Sequence, residues 1–130
     1  MMALRSISTA NAPRALGPYS QGIDTGSFVF LAGQVGLDPT SGQLVEGIEG
    51  QAERALRNLT GVLDAAGLTM SDVVKTTCFL ADMGDFDAFN AVYARFVSDP
   101  PPARSTFAVK ALPRGALVEI EAIAFRPSAV

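Results

Sequence analysis

The sequence predicts an α+β domain in which two helices pack on one face of a mixed sheet. Three observations carry that expectation. Two segments repeat apolar residues with helical period; the other apolar runs are short and rich in β-branched and aromatic residues; and the order is strands, long helix, strand, short helix, two strands. At 130 residues the chain fits one domain spanning 1–130.

From the N-terminus, weak strand signals cover residues 5–8 and 19–24. A stronger one follows at 27–32 (SFVFLA), an apolar run closed by Gly26 and Gly33. Asp38-Pro39-Thr40-Ser41-Gly42 reads as a turn. Over 51–66, Ala52, Ala55, Leu56, Leu59, Val62, Leu63 and Ala66 form one helical stripe, with Glu53 and Arg57 paired on the exposed side and Gly67 placed to end the helix. Residues 73–80 (VVKTTCFL) are a strand. The second helix spans 85–97, with Phe86, Phe89, Tyr93, Phe96 and Val97 on one face, Asp82 or Asp85 as cap, and Pro100-Pro101-Pro102 as stop. Residues 105–111 and 117–126 are the last two strands, with a tight hairpin through 112–115 expected to join them. Alternation in the final strand places Val118, Ile120, Ala122 and Ala124 on one face, and Glu119, Glu121, Ile123 and Phe125 on the other.

Composition narrows the chemistry. Only 18% of residues are charged against 48% hydrophobic, so a monomer would leave much apolar surface in water, and self-association is the expected cover for the second sheet face. With no histidine there is no Ser-His-Asp triad, Cys-His pair or imidazole metal ligand. The single cysteine, Cys78, excludes an intrachain disulfide framework and a cysteine-based zinc site; its mid-strand position suits a buried small hydrophobe. A net charge of −3 argues against a nucleic-acid partner. No stretch has the apolar length of a signal-peptide core or a membrane span, so a soluble, cytoplasmic protein without a membrane partner is expected.

Carboxylates, guanidinium groups, hydroxyls and backbone remain. Arg104 is aimed by the rigid entry of PPPAR and could hold a carboxylate bidentately, but as a lone residue it reads more readily as an exposed or structural arginine. Glu119 and Glu121 share a strand face, where they either work on water beside a substrate or pair as surface charges. Gly17-Pro18-Tyr19-Ser20-Gln21 is a turn that delivers a tyrosine and two hydrogen-bonding side chains. Asn90, inside the apolar stripe of the second helix, is expected to satisfy a nearby loop's backbone groups. Ala32-Gly33-Gln34 ends a strand and is no phosphate loop, because no Gly-Lys-Ser/Thr follows it.

Together these segments resemble the RidA/YjgF/L-PSP family over nearly the whole chain. The residues that carry the resemblance are Asn11-Ala12-Pro13, Gly17-Pro18-Tyr19-Ser20-Gln21-Gly22, Gly33-Gln34, Asp38-Pro39, Ala65-Ala66-Gly67-Leu68, Val74-Lys75-Thr76-Thr77, Asp85-Phe86 with Asn90 and Tyr93, Pro102-Ala103-Arg104-Ser105, Leu112-Pro113, and 118–124 (VEIEAIA). The resemblance implies a chorismate-mutase-like fold, a homotrimer with inter-subunit sites, and hydrolysis of enamine and imine intermediates such as 2-aminoacrylate, 2-iminopropanoate and 2-iminobutanoate, without a cofactor. By the same resemblance Arg104 binds the substrate carboxylate and Glu119 orients the attacking water. Tyr19, Gly33 and Thr106 touch the substrate, Thr106 standing where some members have cysteine; Asn90, Ser20 and Gln21 support the site. Ala32 occupies a position where better-known members carry a ligand-touching serine. The alternative is a non-catalytic trimeric module that binds small carboxylates or proteins.

Overall fold

A computed structural model describes residues 4–127. Its elements are β1 (Arg5–Ile7), β2 (Gly22–Asp24), β3 (Phe28–Val35), α1 (Ile48–Ala65), β4 (Val73–Leu80), α2 (Phe86–Tyr93), β5 (Ala103–Ala108) and β6 (Val118–Phe125), with short 3₁₀ turns at Met70–Asp72, Met83–Asp85 and Pro113–Gly115. They form a six-stranded sheet of order β1-β2-β3-β6-β4-β5, antiparallel except for the parallel pair β4/β5. Both helices cover one face of this mixed sheet. Among the described residues no helix is long and apolar enough to cross a membrane.

The apolar stripe of α1 is the centre of the core: Ala52, Ala55, Leu56, Leu59, Val62 and Leu63 are fully buried against Val29, Leu31, Val118, Ile120 and Ala124. Its end is a Schellman motif, with the Leu68 amide donating to the Leu63 carbonyl and the Gly67 amide to Asp64, while Gly67 takes the left-handed φ of +76° that the turn requires. The Glu53–Arg57 pair forms at 3.1 Å, and Arg95 from the end of α2 joins Glu53 at 2.7 Å.

The expected hairpin between the last two strands does not form. β5 is an edge strand paired only with β4, and β6 lies between β3 and β4. Burial explains the order: alternate β6 residues are buried from Val118 to Ala124, so this strand takes the centre, whereas β5 is half-exposed along its length. Because β4 and β5 are parallel, their connection crosses over through α2. β5 also runs 103–108 rather than 105–111. α2 ends at Tyr93, four residues before the expected limit of 97, because its last turn tightens: the Arg95 and Phe96 amides donate to the carbonyls three residues earlier. Asp82 caps the preceding 3₁₀ turn by accepting from the Gly84 amide, and Asp85 makes no capping bond. Strand β2 begins at Gly22 rather than 19, because the Tyr19 amide closes a three-residue turn onto the Gly17 carbonyl.

Buried polar side chains hold the sheet ends. Asn58, inside the α1 stripe, donates to the carbonyls of Val35 and Leu37, and Gln51 accepts from the Leu117 amide. Asp24 is buried where β2 meets the chain after β6, accepting from Arg126 at 2.6 Å, Arg5 at 3.0 Å and the Gly26 amide at 2.8 Å. Burial alone would raise the Asp24 pKa, but the Gly26 amide and the two guanidinium groups outweigh it and hold the carboxyl below its ordinary 3.8. A depressed carboxyl stabilises the fold above its unfolded pKa and loses that contribution as pH falls through the folded value. Asp24→Ala is therefore expected to cost roughly 2 kcal/mol at pH 7, discounted from a fully buried pair because Arg126 keeps water contact. Urea midpoints of wild type and variant should draw together as the pH falls below the ordinary carboxyl value of 3.8.

The other face of the sheet is bare. Phe28, Phe30, Phe107 and Phe125 are each 41–46% exposed. Phe28 packs on Phe125 and Phe79 on Phe107, with ring centroids 5.4 and 5.3 Å apart.

Candidate functional site

The candidate residues fall into two groups on opposite faces of the sheet. Cα partners in neighbouring strands share a face. Arg104 pairs with Thr76, which pairs with Ala122, and both partners are buried on the helix side. Glu119 pairs with Phe79 and Val35 on the bare side. The two groups are thus not brought together within one chain.

Arg104 sits at the sheet edge under α2. Its Nη1 donates to Asn90 Oδ1 at 2.7 Å, and its guanidinium lies 4.8 Å from the Tyr93 ring centroid and 5.5 Å from that of Phe86. Tyr93 is fixed in turn by a 2.6 Å hydrogen bond between its hydroxyl and Thr76 Oγ1. Asn90 therefore orients the arginine and does not serve loop backbone as expected from its position in the stripe. Among the described residues no carboxylate pairs with Arg104. Thr106, two residues along β5, turns its side chain to the helix side, where Oγ1 is buried without a hydrogen-bond partner. Cys78 is buried beside it, and that burial pushes the thiol pKa up to about 11, so it is protonated at neutral pH and no nucleophile.

The second group lines a recess of about 330 Å³ on the bare side, with Tyr19 at the rim and Gly33 and Glu119 among its walls. A bulge in β3 makes this wall. Between the pairs Leu31–Ala122 and Gln34–Ile120, Ala32 and Gly33 stand opposite the single residue Glu121. Gly33 lies so close to Glu119 that a Cβ there would sit 2.7 Å from Oε2. Burial raises the Glu119 carboxyl above its ordinary 4.5, and the neighbouring charge of Glu121 adds to the rise. Gly33→Ala should leave stability within roughly 1 kcal/mol, since the obstacle is the end of a side chain, while displacing the Glu119 carboxylate from the wall of the recess. Thermal melts and a crystal structure of the variant check both halves of that expectation.

Gln21 and Ser20 do not line the recess. Gln21 is buried, its amide nitrogen donating to the carbonyls of Thr9, Ala12 and Pro13 while its oxygen accepts from the Thr9 amide, so it fastens the N-terminal loop. Ser20 exchanges a 2.9 Å hydrogen bond with Ser6. The sequence reading missed the Tyr93–Thr76 bond beneath Arg104, because Tyr93 was absorbed into an apolar stripe. It also missed Arg14 and Arg114, which line the same recess as Glu119 and fall in segments that read only as loop and turn.

The architecture recurs in E. coli TdcF, solved with bound serine: the TM-score is 0.91 at 40% identity, covering 95% of this chain and 99% of that one. That places the molecule among α+β proteins with the L-PSP fold. A family model described as Endoribonuclease L-PSP matches residues 9–126, and the chain belongs to the RidA/YjgF/L-PSP family. It is 52% identical over 119 residues to a Mus musculus protein named 2-iminobutanoate/2-iminopropanoate deaminase, covering 91% of this chain and 88% of the relative. It is 51% identical over 126 residues to Protein DfrA of Myxococcus xanthus, covering 95% and 96%.

Proposed function

We propose that the protein hydrolyses 2-imino acids and their enamine tautomers to 2-oxo acids and ammonia, in sites completed between protomers of a cytoplasmic homotrimer. The observation that carries this reading is the separation of Arg104 from Glu119. A cation fixed by Asn90 and a carboxylate of raised pKa in an open recess lie on opposite faces, and the bare phenylalanine surface between neighbouring protomers is where association would join them. The name of the mouse relative and the amino acid bound to TdcF agree with a small substrate carrying a carboxylate.

The chemistry asks little of the protein. An imine carbon is already electrophilic, so no cofactor is needed to activate it. Arg104 holds the substrate carboxylate, while Tyr19 and the Gly33 backbone bound the pocket. Glu119 accepts a proton from water as the water oxygen bonds to the imine carbon, and passes it to nitrogen. The hydroxyl of the resulting carbinolamine then gives its own proton through Glu119 to the same nitrogen as the carbonyl forms, the carbon–nitrogen bond breaks and ammonia leaves. The raised pKa of Glu119 suits the first step, since a more basic carboxylate takes the proton from water more readily.

The test couples the protein to threonine dehydratase acting on threonine with semicarbazide present. Addition of the protein should divert the imine from semicarbazone to free 2-oxobutanoate, and an unchanged semicarbazone yield would count against the reading.

A further inference from the structure

We propose that the recess around Glu119 carries a second anion-binding subsite, formed by Arg14 and Arg114, and that the preferred substrates are imino acids whose side chain ends in a second carboxylate. The proposal rests on the deaminase reading above and specifies its substrate class. Both arginines line the Glu119 recess, and both also line an adjoining recess of about 470 Å³ along the N-terminal loop and the turn at residues 38–42. They stand where the two cavities meet. Among the described residues neither forms an ion pair, whereas Arg5, Arg57, Arg95 and Arg126 all do. The acidic group nearest along the adjoining wall, Asp38, is engaged by the Thr40 and Ser41 amides. Two uncompensated guanidinium groups beside one catalytic carboxylate are unexpected in a chain of net charge −3.

Both are presented from fastened backbone. Gln21 holds the carbonyls of Ala12 and Pro13, the two residues before Arg14. Arg114 follows Pro113 and occupies the left-handed region, at φ 62° and ψ 16°, which a residue with a side chain adopts only against a steric penalty. Its Nη2 donates at 3.1 Å to the carbonyl of Gly42, on the wall of the adjoining recess, and its other donors make no hydrogen bond among the described residues. A substrate with one carboxylate and a short alkyl chain uses Arg104 and leaves this charge idle. A dicarboxylic imine places its reacting carbon at Glu119 and its distal carboxylate on Arg14 and Arg114, where planar forks of donors match carboxylate geometry.

The experiment compares imines generated in place by amino-acid oxidases with catalase present: 2-iminopropanoate from alanine, and 2-iminoglutarate from glutamate. Binding of the stable products 2-oxobutanoate and 2-oxoglutarate is measured by calorimetry as a readout independent of turnover. Wild type should favour 2-iminoglutarate in kcat/KM, and 2-oxoglutarate in affinity, by about tenfold or more, the worth of one charge-assisted contact. Arg14→Ala and Arg114→Gly should each erase most of that preference; the glycine keeps the left-handed backbone while deleting the guanidinium. Arg14→Lys should restore part of the lost affinity. Hydrolysis of 2-iminopropanoate without any dicarboxylate preference, or variants that weaken both ligands equally, would overturn the subsite and leave the deaminase reading standing. Preferential 2-oxoglutarate binding with no imine turned over would instead retain the subsite and remove the deaminase.

Discussion

Arg104→Ala is expected to lower kcat/KM for imine hydrolysis by about 100-fold or more while the chain stays folded and associated. Losing a guanidinium that pairs with a desolvated substrate carboxylate costs on the order of 3 kcal/mol, and every 1.4 kcal/mol is about tenfold. The fold has little invested in the same group. Arg104 makes one side-chain hydrogen bond, to Asn90, and rests on aromatic rings that are already packed into the core. Its removal should cost about 1 kcal/mol of stability, the sum of a part-exposed hydrogen bond and weak cation–π contacts. Arg104→Lys should not restore activity, because an ammonium cannot hold Asn90 and both carboxylate oxygens in one plane. Steady-state kinetics with a thermal melt and a sizing profile separate these outcomes; a variant that loses assembly along with activity would assign Arg104 a structural role.

Why Arg104 was readable in the sequence while its position was not is a matter of which forces act locally. Periods of 3.6 and 2 depend only on which residues are buried, so α1, β4 and β6 follow from their apolar spacing, and β4 runs from Val73 to Leu80 as expected. Strand order depends on which strand can be buried on both edges, a comparison between β5 and β6 that neither pattern contains alone. The hairpin expectation failed for that reason, and β5, which carries Arg104, is separated by β4 from β6, which carries Glu119. Polar residues in apolar stripes were a second blind spot: Asn58 and Gln51 look like exceptions within α1 until the carbonyls of Val35 and Leu37 and the Leu117 amide are seen beside them. Gly33 gave a partial signal, since glycine at a strand end marks a bulge or a close approach, and here it is both.

Glu119→Gln is expected to reduce turnover by about 100-fold or more, the range for removing a positioned general base, with KM little changed because the amide fills the same space. Removing only its neighbour, Glu121→Gln, should lower the pH at which activity rises, since the Glu121 charge helps hold the Glu119 carboxyl above its ordinary value. The decisive form of the experiment mixes the two inactive proteins. Arg104 and Glu119 face opposite sides of one sheet, so a site that uses both must take each from a different protomer. Unfolding Arg104→Ala and Glu119→Gln chains together and refolding them as random mixed assemblies would create inter-subunit sites whose arginine and glutamate come from complementary variants. At equal amounts about a quarter of the sites regain both groups, and activity should return to about a quarter of wild type. Neither protein refolded alone should recover anything. Were both groups supplied by the same chain, every protomer in the mixture would carry one defect and mixing would restore nothing. That outcome would remove the inter-subunit site while leaving the fold and the family untouched.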